Sequence, residues 1–274
     1  MKFTPKTIEE NVNVSPTSPV KDFFELILKI LGIFLALYIL LGFAVDYIAP
    51  RISEKTEAQF GALFNSIYEE QKLPDSEKTA QSIVDKLLSH NPSLPRFTYQ
   101  THLIESKKIN AQAFPGGHII IYTGLLKEMR SENELAMVIA HELGHFAHRD
   151  HLRGLGRGLV FLVFSTFLSG ADSSVSRFIA NSMTNAEMRF SQTQESAADS
   201  FALELLNKTY SHAAGATDFF EKMSLKYPAP RFFYIFATHP YPQRRIEALK
   251  NTIKEKHYLI KEKIPLSLPH QDVH

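Results

Sequence analysis

The pentapeptide His141-Glu142-Leu143-Gly144-His145 places two imidazoles and a carboxylate at a spacing suited to metal-assisted hydrolysis. The apolar run from Leu135 to Ala140 just ahead of it reads as helix, and Ser131 with Glu134 three residues later forms a capping box that would start that helix. Residues four apart share a helix face, so His141 and His145 point the same way and can hold one zinc ion. Glu142 then stands beside the metal, placed to take a proton from a polarised water. The plainer alternative is a helix with two incidental histidines.

Catalytic zinc usually has three protein ligands and one open position. Two residues are candidates for the third. His151 completes HELGHFAHRDH, a metzincin-like spacing. That arrangement needs a glycine where the chain turns back at the helix end, and His148 stands there instead; no suitable Met-turn follows. The other candidate, Glu195, opens Glu195-Ser196-Ala197-Ala198-Asp199. Thr184 and Glu187 form a second capping box, and Met188, Ala198, Ala202 and Leu206 mark the inner stripe of a helix. Glu195 and Asp199 are four apart and face inward together. Glu195 can ligate the metal, and Asp199 can accept a hydrogen bond from the free ring nitrogen of a ligating histidine. Small residues between them allow close approach to the first helix. Glu195 is therefore favoured over His151, with an ordinary solvated helix as the alternative.

HELGH, ESAAD and the later THPYPQRRIEAL together resemble the membrane-associated zinc metallopeptidases that include CAAX prenyl proteases and HtpX-like proteases. The resemblance covers roughly residues 94–249. It implies a gluzincin site, with one zinc per chain on His141, His145 and Glu195, and Glu142 as general base. It points to His239 and Arg245 as groups that stabilise the oxyanion; His239 as a fourth zinc ligand holding the enzyme latent is the competing role. It also implies that Asn110 and Ala111 lie on an edge strand beside the cleft, where an extended peptide can pair, with Pro115-Gly116-Gly117 making the turn after it.

The chain has 274 residues, a net charge of +1 and no cysteine. The length allows one sizeable domain plus an appendage. The charge balance gives no bias toward nucleic acid, and the absence of thiols excludes disulfides, cysteine ligands and a cysteine nucleophile.

Residues 1–22 read as a polar, flexible tail. Residues 23–48 follow, with an uncharged centre from Ile30 to Val45. Counting the flanks, about 20 residues are available, enough for the ~30 Å core of a bilayer. An uncleaved anchor fits better than a signal peptide, because the preceding tail is long and Gly42 to Asp46 makes a poor cleavage site. Lys2, Lys6, Lys21 and Lys29 precede the span against Arg51 and Lys55 after it, which leans toward an extracytoplasmic catalytic domain, periplasmic in a bacterium.

The catalytic domain is expected over residues 53–262. Helical patterns at 53–70 and 75–90 precede β-prone runs at Phe97-Thr98-Tyr99 and Ile119 to Tyr122, read as a small antiparallel sheet. The fold class is α+β, mainly α: a zincin-type domain behind one transmembrane helix. Gly158 to Ala171 is a second apolar run, about 14 residues and short for a span, expected to be buried or interfacial. Helices are expected at 217–227 and 243–254, the latter started by Pro242. The aromatic cluster from Phe232 to Tyr241 reads as core, with a role in a substrate pocket left unassigned, and residues 263–274 as a disordered tail.

These readings converge on a membrane-anchored zinc metalloendopeptidase acting on polypeptides, with envelope or membrane-protein quality control as its setting. A non-catalytic, chaperone-like binding protein on the same fold is the alternative, and the intact Glu142 argues against it.

Overall fold

A computed structural model describes residues 18–68, 74–91, 94–169, 190–227, 239 and 242–267, with side chains for all of these except 63–68, 74, 161–169 and 242. The chain enters through α1 (Pro19–Ile48), a 30-residue helix with no buried residue. At 1.5 Å per residue it is about 45 Å long. Among the described residues it belongs to the single helix, Pro19–Arg51, long and apolar enough to cross a membrane.

After a short 3-10 turn come α2 (Glu54–Tyr68) and α3 (Pro74–Leu88). Three strands follow: β1 (Gln100–Ile104), β2 (Ala111–Phe114) and β3 (His118–Tyr122). Their order is β1-β3-β2, so β2 is an edge. β2 and β3 form the expected antiparallel hairpin, Ala111 opposite Ile121 and Phe114 opposite His118. Its turn is made by Gly116 and Gly117 at φ of 85° and 90°, the left-handed region that glycine enters without a Cβ clash. β1 differs from expectation. It runs parallel to β3, with Gln100 opposite His118 and Ile104 opposite Tyr122, so the sheet is mixed rather than antiparallel.

The short α4 (Thr123–Leu126) leads to α5 (Glu132–Ala147). The Ser131 hydroxyl accepts from Glu134 N as expected, while the Glu134 carboxylate reaches one residue further back and accepts from Arg130 N. The helix α6 (Asp150–Ser169) follows after a tight turn in which Arg149 takes φ of 60°. α6 lies against the end of α1: Arg157 pairs with Asp46 at 2.6 Å, and Gly156 sits on Val45. The run expected to be buried or interfacial thus belongs mostly to a helix packed beside the N-terminal one.

α7 (Gln192–Tyr210) carries the ESAAD residues. Its capping box is Ser191 with Gln194, whose side chains and backbones bond reciprocally. The box expected at Thr184 and Glu187, and Met188 of the expected stripe, lie outside the described residues. α8 (Asp218–Lys226) and α9 (Pro242–Glu255) are the last helices among the described residues, close to their expected limits. The expected aromatic cluster at 232–236, with Tyr241, also lies outside the described residues.

The core gathers between α5 and its neighbours. Leu135, Ala136, Ile139, Ala140, Leu143 and Phe146 of α5 are fully buried against α3, the sheet and α7. The tail expected to be disordered from 263 begins ordered. Glu132 N donates to Ile264 O at 2.8 Å, Ile264 N donates to Asn133 Oδ1 at 2.8 Å, and Pro265 bridges Ser131. These bonds satisfy polar groups at the start of α5, which gives the segment a fixed place.

Candidate active site

His141, Glu142 and His145 lie on α5, all nearly inaccessible to solvent. Helical periodicity aligns the two histidines, and their Nε2 atoms stand 3.1 Å apart. Each Nδ1 is held by a carboxylate: Asp199 Oδ1 at 2.9 Å for His141, and Asp150 Oδ2 at 3.1 Å for His145. These bonds fix both rings with Nε2 turned to a common centre. The Asp199 contact matches the expectation from its spacing. Asp150 was not anticipated: it lies beyond the turn at Arg149 and returns to the site only because of that turn. Phe190 stacks on the His145 ring at 3.9 Å and covers its outer face.

Glu195 comes from α7. Its Oε1 lies 3.6 Å from His145 Nε2 and its Oε2 3.6 Å from His141 Nε2. His239 arrives from the segment before α9, with Nδ1 3.0 Å from Glu195 Oε1 and 3.2 Å from His141 Nε2. One donor atom from each of these four residues lies within 4.8 Å of the other three. Metal–ligand bonds of about 2.0–2.1 Å in a tetrahedron put neighbouring donors roughly 3.3 Å apart. The observed separations bracket that value. The donor set therefore fits a small divalent cation.

His151, the other candidate ligand, faces away. Its Nε2 is 2.7 Å from Glu57 Oε1 on α2, and its Nδ1 donates to the His145 carbonyl at 3.2 Å. Glu57 is fully buried, pairs with Arg149 as well, and accepts from Gly116 N at 3.4 Å. It ties the end of α5 to the hairpin turn. Nothing in its sequence setting, the first turn of an amphipathic helix, marks it for this.

Arg245, expected to act on the oxyanion, is 4% exposed and committed elsewhere. Its Nε and Nη2 donate to Asp199 at 2.7 and 2.8 Å, and its Nη1 pairs with Glu195 and donates to the His239 carbonyl at 3.4 Å. It holds the carboxylates of α7 and the backbone of the His239 segment in one frame.

Electrostatics follow from this packing. Burial alone would raise Glu195, but His239, Arg245 and His141 outweigh it and hold the carboxyl far below the ordinary range. Asp199 is likewise buried, yet Arg245 and His141 bring it down to about 2. Burial, then Arg245, pushes His141 below the usual histidine value. His145 is desolvated too, but hydrogen bonds to Asp150 and Glu195 raise it to about 9.

Glu142 Oε2 accepts from Ala113 N of the edge strand at 2.7 Å, and its Oε1 lies 3.7 Å from His239 Nε2. The carboxylate is thereby fixed between the cluster and β2. Asn110, expected on the edge strand, directly precedes β2, its carbonyl accepting from Tyr122 N, and Ala111 begins the strand; both line the recess beside Glu142.

The chain is similar to known metalloproteases. The metalloprotease LoiP of Escherichia coli is 29% identical over 151 residues, covering 53% of this chain and 59% of that protein. The mitochondrial metalloendopeptidase OMA1 of Arabidopsis thaliana is 28% identical over 158 residues, covering 57% and 32%. The β-barrel assembly-enhancing protease of E. coli is 25% identical over 181 residues, covering 61% and 36%. The chain thus spans less than two thirds of the length of each of these relatives. The profile of peptidase family M48 matches residues 74–253, from α3 into the last turn of α9, and this chain belongs to that family.

Proposed function

We propose that the protein is a membrane-anchored zinc metalloendopeptidase. The observation that carries the reading is the convergence of His141, His145 and Glu195 donors beside the Glu142 carboxylate. Two imidazoles and a carboxylate, with no cysteine in the chain, form a ligand set suited to catalytic zinc. When bound, zinc supplies Lewis-acid polarisation of the scissile carbonyl and of water.

The residues of the chain do the rest. Glu142 takes the proton of the attacking water and passes it to the leaving nitrogen. The Ala113 N–H fixes one carboxylate oxygen and leaves the other turned to the cluster. An extended peptide would lie along the edge strand β2 and pair through backbone groups not already bonded to Glu142, a recognition mode of loose sequence preference. Asp199 and Asp150 hold the two rings, and Arg245 positions Asp199 and Glu195 rather than touching the substrate. His239 sits at the fourth corner of the cluster, a geometry that favours the latent-ligand role over the donor role and requires it to withdraw during turnover.

The exposed apolar α1 supports anchoring in a bilayer, with the catalytic domain extracytoplasmic on the lysine count. Full-length chain should stay with membranes through alkaline carbonate washing, and release into the wash would refute the anchor. The names of the relatives, among them a β-barrel assembly-enhancing protease, support a setting in envelope or membrane-protein quality control. The ligand assignment is tested by metal analysis: Glu195→Ala should lose zinc while His151→Ala retains it. The reverse pattern would overturn it.

A further inference from the structure

The contacts of the buried Glu57 carboxylate end on the supports of the site. Its Oε2 pairs with Arg149, whose left-handed turn brings Asp150 back to the His145 ring. Its Oε1 meets His151 Nε2 at 2.7 Å, and His151 Nδ1 donates to the His145 carbonyl. The same oxygen accepts from Gly116 N in the hairpin turn. β2, which runs into that turn, carries the Ala113 N–H that holds Glu142. α2 is seated there without slack: a Cβ on Gly61 would stand 2.8 Å from the Gly116 Cα and 2.8 Å from the Pro115 carbonyl oxygen.

A buried ion pair contributes little net stability, because desolvation offsets its attraction. Covering the sheet would need only an apolar residue at position 57. What the carboxylate adds is direction. Arg149 takes φ of 60°, a region that a residue with a Cβ seldom enters, and its bond to Glu57 holds it there. α2 also lies outside residues 74–253 matched by the family profile, and it closely follows the apolar helix that ends at Arg51.

We propose that Glu57 is a positioning residue for the peptidase reaction, holding from α2 both the turn that aims Asp150 at His145 and the hairpin that aims the Ala113 N–H at Glu142. The inference rests on the peptidase reading above. One carboxylate sets the His145 ring and the general base relative to each other, and the segment after the apolar N-terminal helix becomes part of the catalytic frame. Groups that orient a ligating histidine govern metal affinity as well as rate. A reacting group displaced by about 1 Å can lose ~10²-fold in rate.

The experiment compares full-length wild type and Glu57→Gln in detergent, at a temperature where circular dichroism shows both folded. The substitution removes the charge and keeps the size. It should weaken zinc binding about tenfold, read by competition with a chromophoric chelator. At saturating zinc it should lower kcat on an unfolded protein substrate about tenfold or more, with KM moving less. Amide exchange over residues 111–117 should quicken. Adding Arg149→Gly should restore zinc affinity, because glycine takes the left-handed turn without a partner, whereas a packing defect would not respond to it. If Glu57→Gln fails to fold, Arg149→Ala and Arg149→Gly make the test from the other end: the first should weaken zinc binding about tenfold and the second should not. Unmoved zinc affinity and kcat in Glu57→Gln, no recovery on adding Arg149→Gly, or equal affinities in the two Arg149 variants would overturn the inference alone. No hydrolysis by the zinc-loaded wild type would instead overturn the peptidase reading, and this inference with it.

Discussion

Gly144 on α5 lies so close to Ala198 on α7 that a Cβ at position 144 would stand 2.9 Å from the Ala198 Cα and 3.0 Å from its carbonyl oxygen. Both contacts are with backbone, which cannot rotate aside. This approach sets how near Glu195 comes to His141 and His145. Glycine in a helix interior ordinarily costs about 1 kcal/mol relative to alanine, so Gly144→Ala on an isolated helix would stabilise. Here overpacking, about 1–3 kcal/mol, opposes that gain. Gly144→Ala should therefore not stabilise the fold and should weaken zinc binding about tenfold or more, since ligand positions tolerate only about 0.2 Å. Isothermal titration with zinc checks it, and unchanged affinity would show that the helix spacing is not critical.

His239→Ala separates two roles with opposite signs. Nδ1 of His239 is 3.0 Å from Glu195 Oε1 and 3.2 Å from His141 Nε2, where a fourth ligand would stand. Removing a group that fills the place needed by water and substrate should raise hydrolysis or leave it intact. The donor role read from the sequence predicts instead a fall of about 10²–10³-fold. Peptide turnover at matched zinc content decides, and a large fall would return His239 to the donor role.

His102 and His118 pair across β1 and β3 at 2.8 Å, away from the cluster. Burial lowers both to about 4, and for His102 the neighbouring His118 adds to it. The unfolded chain titrates these groups near 6.5. Between about pH 6.5 and 4 the unfolded state binds protons that the folded state refuses, so stability falls as the pH drops through that window. Denaturant midpoints of full-length protein in detergent should decline over it, and His102→Gln should make the decline shallower. An equally steep decline would remove this pair as its cause.

The parts of this architecture that depend on local periodicity were legible in the sequence. HELGH and ESAAD each place paired groups one helical turn apart, and both landed as read, His141 with His145 and Glu195 with Asp199. The hairpin turn at Gly116-Gly117 was readable because its backbone angles demand glycine. Strand direction was not, since β-prone composition carries no polarity; the parallel pairing of β1 with β3 is set by long-range packing. Asp150 escaped because its role depends on a left-handed turn at an arginine. Glu57 escaped because an acidic residue in the first turn of a helix ordinarily serves the helix dipole, whereas here three distant partners bury it. Ile264 carried no pattern at all, its place being fixed by backbone bonds to α5.

The central claim is that Glu142 is the general base of a zinc site, and Glu142→Gln tests it most directly. The amide keeps the shape of the side chain and removes the base. Wild type and variant should each hold close to one zinc per chain by elemental analysis, and the variant should lose about 10²–10⁴-fold in hydrolysis of an unfolded protein substrate. A variant that keeps its zinc and turns over near the wild-type rate would contradict the account.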